Sequence, residues 1–318
     1  MDVLKRMGDC GVVPVVVLDK VEDALPTANA LLSGGADVIE VTLRTPAALD
    51  CIRQIAQNCP EICVGAGTVL SVQQCEQAVD AGALFVVAPG FDREVVQWCI
   101  QRQVAVVPGA ITPTEITLAL SLGIKVLKFF PSYEFGGLPA MKALSGPFGE
   151  VKFIPTSNLE PANLCEYLSA PFIHATGGTW MCERQDILDG KFARITEITA
   201  RMQRLSLGFE LAHIGINCDT PQASIEVCEL FERAFLTGIK EGDASNFASP
   251  GIEVMKSRYL GDNGHIAMRT NKIERAIAAL AKKGFAVDMQ TAKYKGDAMI
   301  AVYLKEQFGG FAVHLLQK

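Results

Sequence analysis

The sequence predicts an α/β chain: a (β/α)8 barrel followed by a smaller α+β domain. Three observations carry this. A β-branched run, a turn and an amphipathic stretch recur throughout the first two hundred residues; no G-x-G-x-x-G turn follows the first run, as an open dinucleotide-type sheet would require; and after about residue 206 the pattern changes to two similar strand-rich halves. With 318 residues, 49% hydrophobic and 20% charged, the chain has enough apolar material for two buried cores, which excludes disorder as its main state.

Strands are expected at 12–18, 37–43, 62–66, 84–88, 104–107, 125–130, 152–155 and 172–175, with helical spacing between them at 22–32, 47–57, 72–80, 93–101 and 114–122. Alternate residues of a barrel strand face the lumen and the outer helices. In the second strand Ile39, Val41 and Leu43 form the apolar, helix-facing row, which turns Glu40 and Arg44 inward. The same reading of the sixth strand turns Lys128 inward with Val126 and Phe130, so an acid and a lysine share the lumen. A polar helical stretch runs from Trp180 to about Leu205, and the domains divide as 1–206 and 207–318.

The second domain reads strand 209–217, helix 221–234, a loop of small residues at 242–251 and strand 252–259. It then restarts with strand 264–270, helix 273–283 and strands near 285–290, 298–305 and 311–316. The halves open on matching pairs, His213-Ile214 and His265-Ile266.

The formal charge of -6 falls on residues 1–206 and leaves no basic excess for a phosphate backbone, so nucleic acid is not an expected partner. The apolar run at 12–18 contains Pro14 and is too short to span a bilayer, and the N-terminus lacks the features of a signal peptide. Ten scattered cysteines without a C-x-x-C read as reduced thiols in a cytoplasmic protein.

Lys128, set between Leu127 and Phe129, is costly to bury charged. It is either a strand-end lysine that snorkels to solvent or an imine-forming lysine, whose free amine an apolar strand would favour. Glu40 reads as a proton shuttle beside it, or as half of a buried ion pair with Arg44. Arg44 suits a substrate carboxylate. Thr68, ending Gly65-Ala-Gly-Thr68, offers a hydroxyl, or caps the helix that begins near Ser71. Loops after strands seven and eight commonly bind phosphate in this fold, and here they read Pro155-Thr156-Ser157-Asn158 and Thr176-Gly177-Gly178-Thr179-Trp180.

PVVV near the start, IEVTLRT (39–45), VGAGTV (64–69), APG (88–90), LKFFP (127–131), GPF (146–148), PT (155, 156) with PAN (161–163), and GGTW (177–180) resemble, in order and spacing, the 2-keto-3-deoxy-6-phosphogluconate / 4-hydroxy-2-oxoglutarate aldolases over residues 5–205. The resemblance implies a class I, cofactor-free aldolase on a TIM barrel, forming a homotrimer, that cleaves a 2-keto-4-hydroxy acid to pyruvate and an aldehyde. It implies Lys128 as the Schiff-base lysine, Glu40 as general acid/base, Arg44 and Thr68 on the pyruvoyl carboxylate, Pro89 and Phe130 as pocket walls, and Thr156, Gly178 and Thr179 on the distal, phosphate side. The family's phosphogluconate enzymes read PTGG where this chain has PTSN, so Ser157 and Asn158 favour a substrate ending in a carboxylate or another small polar group.

AHIGINCD, GIEV, GHIAMRTN and the ending GGFAVHLLQK resemble the vicinal oxygen chelate (glyoxalase-like) superfamily over residues 208–318. This implies paired βαβββ units and, in metal-dependent members, a divalent ion on His213, Glu253, His265 and His314. His314 stands where glutamate is usual. The leading expectation is therefore an aldolase acting on a small keto acid. Its rivals are a non-catalytic keto-acid binder with a sensing or assembly domain, and a bifunctional enzyme whose second domain is metal-dependent.

Overall fold

The computed structural model describes residues 2–157 and 159–318. Internal contacts divide the chain into one unit ending at Ser206 and a second spanning Leu207–Lys318.

The first unit begins with α1 (Val3–Cys10). Its strands are β1 (Val12–Val16), β2 (Val38–Thr42), β3 (Cys63–Gly67), β4 (Phe85–Val87), β5 (Ala105–Val107), β6 (Val126–Phe129), β7 (Lys152–Pro155) and β8 (Thr176–Gly178). Between and after them lie α2 (Ala24–Ser33), α3 (Ala48–Asn58), α4 (Val72–Asp80), α5 (Arg93–Gln101), α6 (Pro113–Ser121), α7 (Gly137–Ser145), α8 (Leu164–Ser169), α9 (Arg184–Leu188) and α10 (Phe192–Leu207). Parallel ladders join the strands in the order β5-β4-β3-β2-β1-β8, and β6 pairs with β7. Bridges from Gly109, just after β5, to Lys128 and from Thr156, just after β7, to Gly177 carry the ring round between these two groups.

Local sequence explains the helices. In α3, Ala48, Cys51, Ile52 and Ile55 are buried, a spacing that gives one apolar stripe to the strands. Ser71, Asp92 and Thr112 each accept a hydrogen bond from the first turn of α4, α5 and α6, and Thr112 completes a capping box with Glu115. All ten cysteines are free, and only Cys165 and Cys218 are part-exposed. Burial pushes Cys51 and Cys63 up to about 11 and Cys182 up to about 12, as expected of unreactive core thiols.

Two expectations for this unit are corrected. The eighth strand is Thr176–Gly178, the three residues that directly follow the apolar segment 172–175. Phe172 and Ile173 pack in the core and Ile173 makes a single parallel bridge to Phe153 of β7, whereas the ladder to Val12, Val13 and Pro14 is made by Thr176, Gly177 and Gly178. There the neighbouring Thr156 and Trp180 leave no room for a Cβ on either glycine. The helical stretch after Trp180 is two helices, broken at Gly190, whose φ is 67°.

The second unit comprises β9 (Glu210–Ile216), α11 (Pro221–Phe235), β10 (Lys240–Glu241), β11 (Ser245–Ser249) and β12 (Ile252–Met255). There follow β13 (Gly264–Thr270), α12 (Ile273–Ala281), β14 (Val287–Lys295), β15 (Ala298–Phe308) and β16 (Phe311–Gln317). Strand, helix and three strands thus occur twice. They form one mixed sheet in the order β10-β11-β12-β9-β13-β16-β15-β14. The halves meet where β9 runs antiparallel to β13, and each of these is flanked by a parallel partner, β12 and β16.

The loop expected at 242–251 contains β11. Its small residues serve packing: Asn246 Nδ2 donates to Ser224 Oγ at 3.0 Å, and Ser224 Oγ donates to the Val254 carbonyl at 2.9 Å, which pins α11 onto β11 and β12. Among the described residues, no helix is long and apolar enough to cross a membrane.

Candidate functional site

The alternation of β2 and β6 brings Glu40 and Lys128 together inside the ring. Lys128 Nζ lies 3.2 Å from Glu40 Oε1, with side chains only 8% and 4% exposed. The pair resolves the two bland readings: Lys128 does not snorkel to solvent, and the partner of Glu40 is Lys128, not Arg44. A cavity of about 10 Å³, lined by Val13, Glu40, Val107, Lys128, Ile154 and Thr156, leaves space for about one water beside the pair. The centroid of the Phe130 ring is 5.5 Å from Nζ.

The position of Glu40 depends on a residue that sequence reasoning passed over. A Cβ at Gly67, on the adjacent strand β3, would collide with the Glu40 carboxyl group. A glycine inside a strand is the usual mark of such a close approach.

Arg44 and Thr68 lie beyond the C-terminal ends of β2 and β3. Arg44 is exposed and its Nε donates to Thr68 Oγ1 at 3.2 Å. Thr68 does not cap α4, because Ser71 does. Instead it holds a φ of 59°, an uncommon conformation for a β-branched residue and one that fixes its hydroxyl against the guanidinium. Pro89 follows β4 and Phe130 follows β6 at the same rim, the end of such a ring at which ligands are bound.

On the β7–β8 side, Thr156 is buried and Gly178 ends β8, while Thr179 is exposed. Ser157 has a φ of 97°, a conformation that favours glycine, and its hydroxyl donates to Glu134 Oε2 at 3.2 Å. Asn158 lies outside the described residues.

A ring of parallel strands with a buried lysine–carboxylate pair and an arginine at its rim has the layout of an aldolase-type barrel. A family model described as KDPG and KHG aldolase matches residues 3–198, and the chain belongs to that family of lyases. It is 46% identical over 188 residues to the 2-dehydro-3-deoxy-phosphogluconate aldolase of Treponema pallidum, covering 59% of this chain and 90% of the relative. It is 42% identical over 187 residues to the KHG/KDPG aldolase of Escherichia coli K12, covering 59% and 88%. The crystal structure of a KDPG aldolase from Legionella pneumophila, with pyruvate captured as a covalent carbinolamine, is similar at a TM-score of 0.61 and 37% identity, covering 63% of this chain and 97% of that one.

The second unit has a cluster of its own. His213 (β9), Glu253 (β12), His265 (β13) and His314 (β16) stand on the four adjacent central strands of the sheet. Strand register explains why they meet. Glu253, Gly215 and His265 are mutual neighbours across three strands, and His213, Ala267 and His314 form a second such row. The small middle residues leave open the space into which the outer side chains lean, and a Cβ at Gly215 would strike the His265 ring.

His213 Nε2 is 2.9 Å and His265 Nε2 3.0 Å from Glu253 Oε2, and the two imidazole nitrogens are 3.1 Å apart. Two N–H groups donating to one carboxylate oxygen crowd the same space, since the nitrogens themselves are only 3.1 Å apart. Three ligand atoms around one ion, with bonds of about 2.0–2.2 Å, have such separations. Both ring nitrogens of buried His314 lack a hydrogen-bond partner among the described residues, and ligand atoms of the three histidines lie within 4.8 Å of one another. The donor set therefore fits a divalent metal.

Burial raises the Glu253 carboxyl group, but hydrogen bonds from His213, His265 and Ser245 outweigh it and hold the group well below the usual carboxylate range. Burial, and then His265 and His213, hold His314 down at about 3, keeping it neutral. Ser245, which donates to Glu253 Oε1 at 2.5 Å, and Tyr303, stacked on His314 at 4.5 Å, complete the surroundings and were not legible as site residues.

Gly67→Ala is expected to lower first-unit stability by about 1–3 kcal/mol, because the added methyl has no space to enter. Urea unfolding followed by a first-unit probe measures this; no shift would mean that Glu40 swings clear freely.

Proposed function

We propose that residues 1–206 form a class I aldolase that cleaves a 2-keto-4-hydroxy acid to pyruvate and an aldehyde. The observation that carries the reading is the buried Lys128–Glu40 pair, 3.2 Å apart. Family membership supports it, as does the covalent pyruvate captured in the Legionella relative.

Transfer of the ammonium proton to Glu40 frees the Lys128 lone pair, which attacks C2 of the ketone. Glu40 protonates the carbinolamine hydroxyl, water leaves, and an iminium remains. The Glu40 carboxylate then takes the proton of the C4 hydroxyl as the C3–C4 bond breaks; the aldehyde departs and the bonding electrons pass into the iminium to give an enamine. Protonation at C3 and hydrolysis release pyruvate and return the amine.

Arg44, braced by Thr68, takes the substrate carboxylate, with Pro89 and Phe130 as pocket walls. Thr156, Gly178 and Thr179 face the distal end. This chemistry requires no cofactor. A homotrimer in the cytoplasm completes the proposal for this unit.

Incubation with pyruvate and borohydride should fix a reduced adduct on Lys128 and inactivate cleavage. Lys128→Arg should remove both adduct and activity, and Glu40→Gln should lower kcat by about 10²–10⁴. An unmodified Lys128 in the wild-type protein would overturn the reading.

A second reading concerns residues 207–318 and rests on the imidazole–carboxylate triangle. We propose a glyoxalase-like vicinal oxygen chelate domain of paired βαβββ units, in which His213, Glu253, His265 and His314 would hold a divalent metal. Such an ion, when bound, polarises substrate oxygens as a Lewis acid. The chain's own residues orient the donors: Ser245 fixes Glu253, and Tyr303 covers His314. Elemental analysis of the purified protein should find close to one metal per chain, reduced at least tenfold in His213→Ala and in Gly215→Ala. Equal metal content in all three would sink this assignment.

A further inference from the structure

We propose that Glu134, held by Ser157, is a specificity-determining residue that excludes phosphate from the far end of the barrel pocket. The substrate is then a 2-keto-4-hydroxy acid whose distal end is an uncharged, hydroxyl-bearing chain. This rests on the aldolase reading and deepens it.

The direction of the substrate follows from the ring. Its carboxylate end belongs with Arg44 and Thr68, after β2 and β3, and its reacting carbon with Lys128 on β6. The remainder therefore extends toward the loops that follow β6, β7 and β8. These loops, residues 130–136, 156–163 and 179–183, contain no lysine or arginine, and each carries one glutamate: Glu134, Glu160 and Glu183. The cation that comes next, Arg184, is engaged by Asp19 through two hydrogen bonds of 2.6 and 2.7 Å. Among the described residues of these loops, no lysine or arginine is available to offset the charge of a phosphate.

Glu134 stands exposed at that rim and is tied to it by one contact. Ser157 Oγ donates to its Oε2 at 3.2 Å, and Glu134 has no ion-pair partner among the described residues. Ser157 maintains this contact at a φ of 97°, where glycine is preferred. Its side chain also covers backbone that a glycine would leave bare for close approach by an anion. A carboxylate beside an incoming phosphate is repelled at short range, whereas the same carboxylate accepts hydrogen bonds from neutral hydroxyl groups.

The test uses the full chain and measures kcat/KM for 2-keto-3-deoxy-6-phosphogluconate and for unphosphorylated 2-keto-3-deoxygluconate. The wild-type protein should favour the unphosphorylated acid by about tenfold or more. Glu134→Gln should raise the phosphorylated-to-unphosphorylated ratio by about tenfold, a change that one short-range charge supplies. Ser157→Gly should move the ratio in the same direction, and inorganic phosphate should inhibit Glu134→Gln more strongly than the wild type. A wild-type preference for the phosphorylated acid, or a ratio unmoved in both variants, would overturn the proposal while leaving the Lys128 adduct intact. Failure of the aldolase reading itself would instead show as no adduct and no cleavage of either acid.

Discussion

The barrel is organised around one contact, the ion pair between Lys128 and Glu40, residues 88 apart in sequence and both buried. Removing either charge from water costs several kcal/mol, and only the partner offsets it. The neighbouring strand shows what this demands. Gly65 and Gly67 lie two apart on β3, hence on one face; a Cβ at Gly65 would enter the Phe85 ring, and one at Gly67 the Glu40 carboxyl group. On that face β3 offers bare backbone at both positions, and side chains from the strands on either side lean across it. The glycine-rich strand and the charged pair are thus one feature.

Much of this was legible in the sequence because it depends on period. Alternation along β2 and β6 settles which residues face inward, and a helix-facing row must be apolar, so the sequence alone puts Glu40 and Lys128 in one interior. Where the expectation slipped, the apolar residues and the longer ladder fall on different segments. Phe172 and Ile173 fill the core and meet β7 through a single bridge, Ile173 to Phe153, while the ladder to β1 just beyond them runs through glycines with no apolar signature. The strain at Thr68 and Ser157 was also hidden, because a positive φ at a residue other than glycine leaves no trace in composition.

The second unit shows a different limit. Its four cluster residues were found through resemblance and the matching placement of two histidines, but the reason they meet is register between strands distant in sequence. The spacing that sets Glu253 opposite Gly215, and Gly215 opposite His265, is a property of the assembled sheet. Small residues at the middle of each row, Gly215 and Ala267, were visible only as ordinary strand positions. In β11, likewise, serine, asparagine and alanine resembled a loop because their packing partners sit on α11.

The division of that cluster between the halves has a thermodynamic side. His213 and Glu253 come from the first half, His265 and His314 from the second. Neither half carries more than two of the donors, and a one-residue slip of β9 against β13 would send His213 to the opposite face. The cluster is therefore a gauge of alignment, complete only when the halves have joined in step. An ion bound there would favour the joined sheet over any state with the halves apart, so that the free energy of binding becomes cohesion across the seam.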